Sequence, residues 1–202
     1  MLRAAPLALV LLAARPMPAP AALHAIALRA KPSLGALLCG RSLASAVVVG
    51  GSGQVLTASG ACPKGEVRLR LADGRTLPLS RVRADATLGL QLLQLPPGTY
   101  AAAPAAPHAA FAGDWIVAVA ASAHGVRAAA GMLHEAESKT DSRVLIDAPT
   151  HLGAGVFSLK GKLVGIAVGP APRHQMHVAP IDAIRDWLAG AQRVASAPGG
   201  AK

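Results

Sequence analysis

Short apolar runs separated by glycine, proline or aspartate recur along the chain from residue 45 onward. Residues 45–49 and 54–57 flank a Gly-Gly-Ser-Gly segment, which is the pattern of a β-hairpin with a glycine-rich turn. Residues 66–71 alternate apolar and charged side chains, the period of a strand with one solvated face. Three further runs lie at residues 76–79, 81–83 and 90–95. This first block predicts about six short strands and no helix.

A second block of strand-like runs follows residues 101–110, a segment rich in proline and alanine that we interpret as a linker. The predicted strands of this block are residues 115–120, 126–135, 143–146, 155–159, 163–168 and 176–179. Short strands at this spacing, with glycine and proline in the turns, are typical of β-barrels and sandwiches. Aromatic residues make up only 2% of the chain, so valine, leucine and isoleucine must fill most of the core.

The C-terminal segment has helical spacing instead. Ile181, Ile184 and Leu188 lie on one face of a helix, Pro180 suits its first turn, and Gly190 suits its end. We predict a helix over residues 181–190 and a disordered tail over residues 191–202.

The N-terminal segment has the pattern of an export signal. Met1-Leu2-Arg3 gives a short basic start, and the apolar run at residues 4–14 is too short to cross a bilayer as a helix. Ala19-Pro20-Ala21 and Leu23-His24-Ala25 are possible cleavage sites, so we predict a signal peptide over residues 1–25 and a periplasmic or secreted location. The alternative interpretation is a disordered leader.

The chain is strongly basic, with a formal charge of +10, and removal of Arg3 and Arg15 with the signal would leave +8. A basic exported protein can meet an anionic polymer, a membrane surface or an acidic partner, although the charge can also serve solubility alone. The chain has no arginine cluster with interleaved aromatics and no metal-finger spacing, so we expect no nucleic-acid binding, no metal and no cofactor.

The chain contains two cysteines, Cys39 and Cys62. In an oxidising compartment we expect one disulfide, and two buried free thiols are the alternative. Closing a loop of this length would stabilise the fold by roughly 3 kcal/mol in the chain-entropy model.

Several segments, in the right order, carry a family resemblance. Residues 39–43 (Cys-Gly-Arg-Ser-Leu), 55–62, 113–119 (Gly-Asp-Trp-Ile-Val-Ala-Val), 145–166 and 176–182 resemble successive segments of chymotrypsin-fold, HtrA-like serine proteases of the trypsin-like family. The resemblance implies an all-β fold of two six-stranded antiparallel β-barrels with a C-terminal helix. The barrels would occupy residues 38–100 and 111–180, and Cys39 and Cys62 would lie in the family's first disulfide region.

The same resemblance indicates that the catalytic triad is missing. In Leu-Thr-Ala-Ser-Gly the histidine position holds Gly60, and in Leu-Gly-Leu-Gln-Leu-Leu the acid position holds Gly89. The family's Gly-x-Ser-Gly-Gly loop is interpreted as shortened, with the serine deleted between Ala154 and Gly155. Asp85, four residues before Gly89, is interpreted as a residue at a strand end or in a turn.

Any remaining catalytic activity in the former active-site cleft would depend on the residues beside the shortened loop. The candidates are His151, Gly153, Ala154 and Gly155, and His151 is the best of them, although it can also be an ordinary loop histidine. No base is evident that could activate Ser59, next to Gly60.

These observations predict a catalytically inactive homologue, a pseudoprotease, that acts by binding. The expected partner is a peptide or protein, such as an active protease or its substrate. Two alternatives remain: an active endopeptidase with displaced catalytic residues around His151, and a structural envelope protein that binds anionic surfaces.

Overall fold

The structure is a computed structural model that describes residues 16–40, 42–122, 124–135, 143–148 and 150–195. The first fifteen residues of the predicted signal segment and residues 196–202 of the predicted tail lie outside the described residues.

The described chain opens with helix α1, Pro20–Ala30, followed by a short 3₁₀ turn, Lys31–Ser33. Proline occupies the first turn of α1, where its missing N–H has no helical partner to lose. One side of the helix is buried through Ile26, Ala27 and Ala30, which belong to the main core cluster. Residues 20–25, assigned from sequence to the signal segment, therefore form the first half of a helix whose second half packs against the core.

The first sheet has seven antiparallel strands, where the sequence predicted about six, and it curls into a half-barrel. The strands are β1 Leu34–Cys39, β2 Ser42–Val48, β3 Gln54–Ala58, β4 Arg68–Leu71, β5 Thr76–Pro78, β6 Ser80–Asp85 and β7 Leu90–Gln94. Their order in the sheet is β5-β4-β1-β2-β3-β7-β6. The predicted hairpin is present as β2 and β3, with Val47 opposite Leu56.

The second sheet closes into the six-stranded barrel that the sequence predicted, in the order β10-β13-β12-β11-β8-β9. Its strands are β8 Trp115–Ser122, β9 Gly125–His134, β10 Val144–Ile146, β11 Gly155–Ser158, β12 Leu163–Pro170 and β13 Met176–Pro180. Each matches a predicted run to within a few residues.

Helix α2, Ile181–Ala195, follows β13 directly. It continues past Gly190, where the sequence predicted its end, because the alanines around this glycine favour helix. Residues 191–195 of the predicted disordered tail are therefore helical. The Arg83 guanidinium stacks 4.2 Å from the centroid of the Trp187 ring and donates a 3.0 Å hydrogen bond to the Trp187 carbonyl. The C-terminal helix is thereby attached to the first sheet.

One core cluster spans both sheets. Val47 and Leu56 from the first sheet and Phe157 and Ile166 from the second are all 0% exposed members of it. The linker is ordered as well, because the amide of Ala103 donates to Val48 and the amide of Ala106 donates to Leu163, each over 2.8 Å. The two barrels therefore meet along a buried apolar junction.

Cys39 and Cys62 form the predicted disulfide, with their Cα atoms 5.8 Å apart. It ties the end of β1 to the turn that follows β3. No helix in the described part of the chain is both long and apolar enough to cross a membrane.

Candidate functional site

The positions predicted to have lost the histidine and the acid lie side by side in the first sheet. Gly60 is exposed in the turn that follows β3, and Gly89 lies in the turn that precedes β7. The Ser59 amide donates a 2.8 Å hydrogen bond to the Gly89 carbonyl, so the two turns are in direct contact. Antiparallel pairing of β3 with β7 produces this proximity, with Ala58 opposite Leu90.

The two glycines differ in the space around them. A Cβ at Gly60 would meet no atom within 4 Å, so a side chain could be added there. Gly89 has a φ of +69°, and a Cβ on it would lie 3.2 Å from the Cβ of Val168 on β12. Gly89 is therefore a contact point between the two barrels, with a backbone that favours glycine.

The segment interpreted as the shortened nucleophile loop lies at the same junction. The Ser45 amide on β2 donates to the Leu152 carbonyl over 2.9 Å. On the other side, the Gly153 amide donates to Ala167 over 2.8 Å and the Ala167 amide donates to Ala154 over 2.9 Å. The loop is hydrogen-bonded to both barrels and has one defined position.

Gly153 is the tightest point of this loop. It is buried, its φ is +75°, and a Cβ on it would overlap the Ser45 carbonyl oxygen and the Thr57 hydroxyl. Thr57 donates its own 2.8 Å hydrogen bond to that same carbonyl oxygen, so neither atom can easily move aside. Only glycine fits here.

The side chains on either side of Gly153 are apolar. Leu152 is half-buried and packs against the core cluster shared by the two barrels. Ala154 is 0% exposed, and a Cβ at Gly155 would meet the Phe157 ring at 2.6 Å. Gly153, Ala154 and Gly155, which were predicted to line a residual cleft, are thus packing residues. Of the predicted cleft residues, His151 alone has an exposed side chain that could bind or react.

His151 is exposed and lies in the wall of a cavity of about 390 Å³. The other polar residues lining this cavity are Thr150 and Arg127, and alanines of β8 and β9 complete it. Arg127 was not singled out from sequence. Arg127 lies near His151 because β8 pairs with β9, with Ala120 opposite Arg127. No local motif in the sequence indicates this proximity.

Asp85 is the last residue of β6, a strand end as predicted, and its carboxylate accepts a 2.9 Å hydrogen bond from the Leu88 amide in the turn that follows. Ser59 carries a hydroxyl next to Gly60, but no histidine or carboxylate of the described residues is bonded to it. The described residues also contain no group of three or more side chains suited to hold a metal ion.

Comparison with known proteins agrees with this architecture. The model of the trypsin-like peptidase domain family matches residues 44–166, more than half of the chain, and the protein belongs to that family. No curated protein matches the chain significantly.

Two solved structures illustrate the shared fold. The serine endoprotease of Yersinia pestis is 18% identical, with a TM-score of 0.75 over 86% of this chain and 67% of its own. The Rv3671c protease of Mycobacterium tuberculosis in an inactive form is 16% identical, with a TM-score of 0.68 over 87% of this chain and 97% of its own. At these identities the likeness shows the fold.

Proposed function

We propose that the protein is an exported, non-catalytic member of the trypsin-like serine protease family that binds an extended peptide or a protein partner. The observation that carries the proposal is the chemistry of the junction. Gly60 and Gly89, which the family resemblance assigns to the histidine and acid positions, lie in two turns joined by the bond from Ser59 to Gly89. The neighbouring loop carries leucine and alanine instead of a nucleophilic hydroxyl.

The loop supports this proposal under either alignment. With the serine deleted between Ala154 and Gly155, no residue stands in its place. With a continuous alignment, Thr150-His151-Leu152-Gly153-Ala154 lies opposite Gly-x-Ser-Gly-Gly, and Leu152 stands at the serine. Neither alignment supplies a nucleophile.

Loss of the triad would remove the chemistry of the fold. Peptide hydrolysis on this fold needs a hydroxyl that attacks the carbonyl, an imidazole that accepts its proton, and an acid that orients the imidazole. Glycine can neither accept a proton nor orient a neighbour, and leucine cannot attack. Loss of a single triad member already lowers turnover by about 10⁴-fold or more.

Peptide binding does not need those residues. Strand β12 pairs with β11 through Leu163, Gly165 and Ile166, and it continues to Pro170 along β13. Among the described residues, residues 168–170 are therefore paired with a strand on one side only, which is β13. This open edge lies next to the contact of Val168 with Gly89. An extended peptide can add to such an edge through main-chain hydrogen bonds.

The test combines an activity assay with a binding assay. We expect no cleavage of casein or fluorogenic peptides and no labelling by a fluorophosphonate probe. A peptide-display screen should yield ligands. Gly169→Trp should weaken their binding at least tenfold by obstructing the strand edge, and Gly60→Trp should do the same by filling the open space at that turn. Gly190→Trp is the matched control, since a Cβ at each of the three glycines meets nothing within 4 Å.

Three outcomes would overturn the proposal. Cleavage that disappears in His151→Ala would identify an enzyme with displaced residues. Ligands unaffected by Gly60→Trp and Gly169→Trp would show that the junction is not the binding site. Retention on anionic polymers without any peptide ligand, lost at modest salt, would identify a charge-driven envelope protein.

A further inference from the structure

A second concave site lies apart from the barrel junction. It is a groove of about 640 Å³ between the linker and the hairpin that joins β11 to β12, with the start of β8 as its floor. We call it the linker groove; its walls are residues 106–111 and 158–162, and Pro16 of the N-terminal segment also lines it. None of the residues that line it belongs to the junction described above. Its volume lies within the range of about 300–1,000 Å³ typical of sites for small organic ligands.

The linker wall is held in place from several directions. The Ala109 amide donates to the Asp182 carboxylate over 2.9 Å, and Arg185 donates to the carbonyls of Ala106 and Pro107 over 2.7 and 3.1 Å. The Phe111 amide donates to the Asp114 carboxylate over 3.0 Å. Helix α2 and the start of β8 thus fix this wall of the linker groove.

The hairpin wall is equally well defined. Within the turn, the Gly161 amide donates to the Ser158 carbonyl and the Ser158 amide donates to the Lys162 carbonyl, each over 2.8 Å. The groove is therefore formed before any ligand arrives, and a ligand need not order either wall.

The groove is lined mainly by apolar side chains, and two of them are unusually exposed. Phe111 on the linker wall is 75% exposed, and Leu159 on the hairpin wall is 44% exposed. Ile116 and Val164 form part of the floor. Exposed apolar side chains grouped around a concavity mark a binding surface more often than isolated ones do.

Two ammonium groups also belong to the hairpin wall. Lys160 and Lys162 are exposed, line the groove, and form no ion pair with a carboxylate among the described residues. The Asp114 carboxylate on the opposite wall already accepts the Phe111 amide. The groove therefore combines an apolar body with an unpaired positive rim.

We propose that the linker groove binds a single-chain anionic amphiphile, a long-chain fatty acid. The alkyl chain lies between Phe111 and Leu159, and the carboxylate is held by Lys160 and Lys162. A free fatty acid fits better than a bilayer lipid because the apolar surface is concave, with residues 106–111 and 158–162 standing on either side. A flat bilayer would contact Phe111 and Leu159 without filling the groove.

Binding is tested by calorimetry with the full chain, using octanoate, decanoate and laurate below their critical micelle concentrations. We expect saturable 1:1 binding that tightens with chain length, by at most about fourfold for each added methylene. Dodecyltrimethylammonium should bind at least tenfold more weakly than laurate, and the neutral dodecyl maltoside should fall between them.

Variants locate the site. Phe111→Ser should weaken the binding of laurate at least fivefold. The control Val82→Ser, at a side chain on β6 that is 54% exposed, should leave the binding unchanged. Lys160→Glu with Lys162→Glu should abolish the preference for laurate over dodecyltrimethylammonium, whereas Lys64→Glu should preserve it. These positions are all exposed, so the fold should be retained, and thermal unfolding of each variant checks this.

Either of two results would overturn the proposal. One is the absence of saturable laurate binding, including the case in which the protein binds only anionic vesicles. The other is equal weakening by Phe111→Ser and Val82→Ser, which would show that laurate binds elsewhere on the surface.

Discussion

Replacing Gly153 by alanine should strongly destabilise the protein. Gly153 has a φ of +75° and lies where a Cβ would overlap the Ser45 carbonyl oxygen and the Thr57 hydroxyl. Those two atoms are joined by a 2.8 Å hydrogen bond inside the sheet, so relief of the overlap must displace either the loop or β2. Displacing the loop breaks the bonds from Ser45 to Leu152 and from Gly153 to Ala167.

The size of the effect follows from these contacts. A left-handed backbone costs a residue with a Cβ about 1–2 kcal/mol, and overpacking of a close-packed site costs about 1–3 kcal/mol. Each of the two hydrogen bonds contributes about 1 kcal/mol, and they are lost only as far as the loop moves to relieve the overlap. We expect the free energy of unfolding to fall by about 4 kcal/mol, which corresponds to a melting temperature lower by about 8–16 °C in a chain of this size.

Urea or guanidinium unfolding of the oxidised protein measures the effect. Gly60→Ala is the matched control, because its φ lies outside the left-handed region and its Cβ would meet nothing within 4 Å. We expect that control to be neutral or stabilising by up to about 1 kcal/mol, through the unfolded state. A loss below about 1.5 kcal/mol for Gly153→Ala would refute the close fit between the loop and β2.

Three further predictions concern stability. Reduction of the Cys39–Cys62 disulfide, or its replacement by two serines, should lower the free energy of unfolding by about 3 kcal/mol, and equal urea midpoints with and without reductant would contradict this. Arg83→Ala should cost about 1–2 kcal/mol, since it removes the ring contact and the hydrogen bond to Trp187, whereas Arg70→Ala, at an exposed position on β4, should be nearly neutral in the same unfolding assay. Hydrogen bonds from the Arg75 amide and guanidinium lower the pKa of Asp73 below its ordinary value of 3.8. The ionised Asp73 carboxylate therefore stabilises the folded protein above that pH, and this stabilisation is lost as the pH falls through the folded-state pKa. Asp73→Asn should therefore lower the urea midpoint at pH 7 but not at pH 2, and the same difference at both pH values would exclude the carboxylate as its source.

Local patterns in the sequence predicted much of the fold. The hairpin of β2 and β3 followed from its glycine-rich turn, and β4 from alternation at residues 66–71, because both signals depend on neighbouring residues. Helix α1 was missed for the same reason. Its first half overlaps the predicted signal peptide, and the burial of Ile26, Ala27 and Ala30 depends on contacts with distant segments.

The sites depended on contacts between distant segments. The family resemblance indicated Gly60 and Gly89, but the bond from Ser59 to Gly89 and the attachment of residues 152–154 to Ser45 and Ala167 require strand pairing across the whole chain. The linker groove brings Phe111 next to a hairpin beginning at Ser158. No periodic pattern connects these two segments, so the groove could not be predicted from local sequence.

The backbone at Gly89 bears on how this chain could change in evolution. Aspartate at this position would place a side chain on a left-handed backbone with its Cβ 3.2 Å from that of Val168. An acid at this position would therefore lower stability, and under the proposed function it would bring no activity, because Gly60 and the loop would still supply neither an imidazole nor a hydroxyl. The contact between Gly89 and Val168 therefore makes the packing of the two sheets a constraint on which side chains this turn can carry.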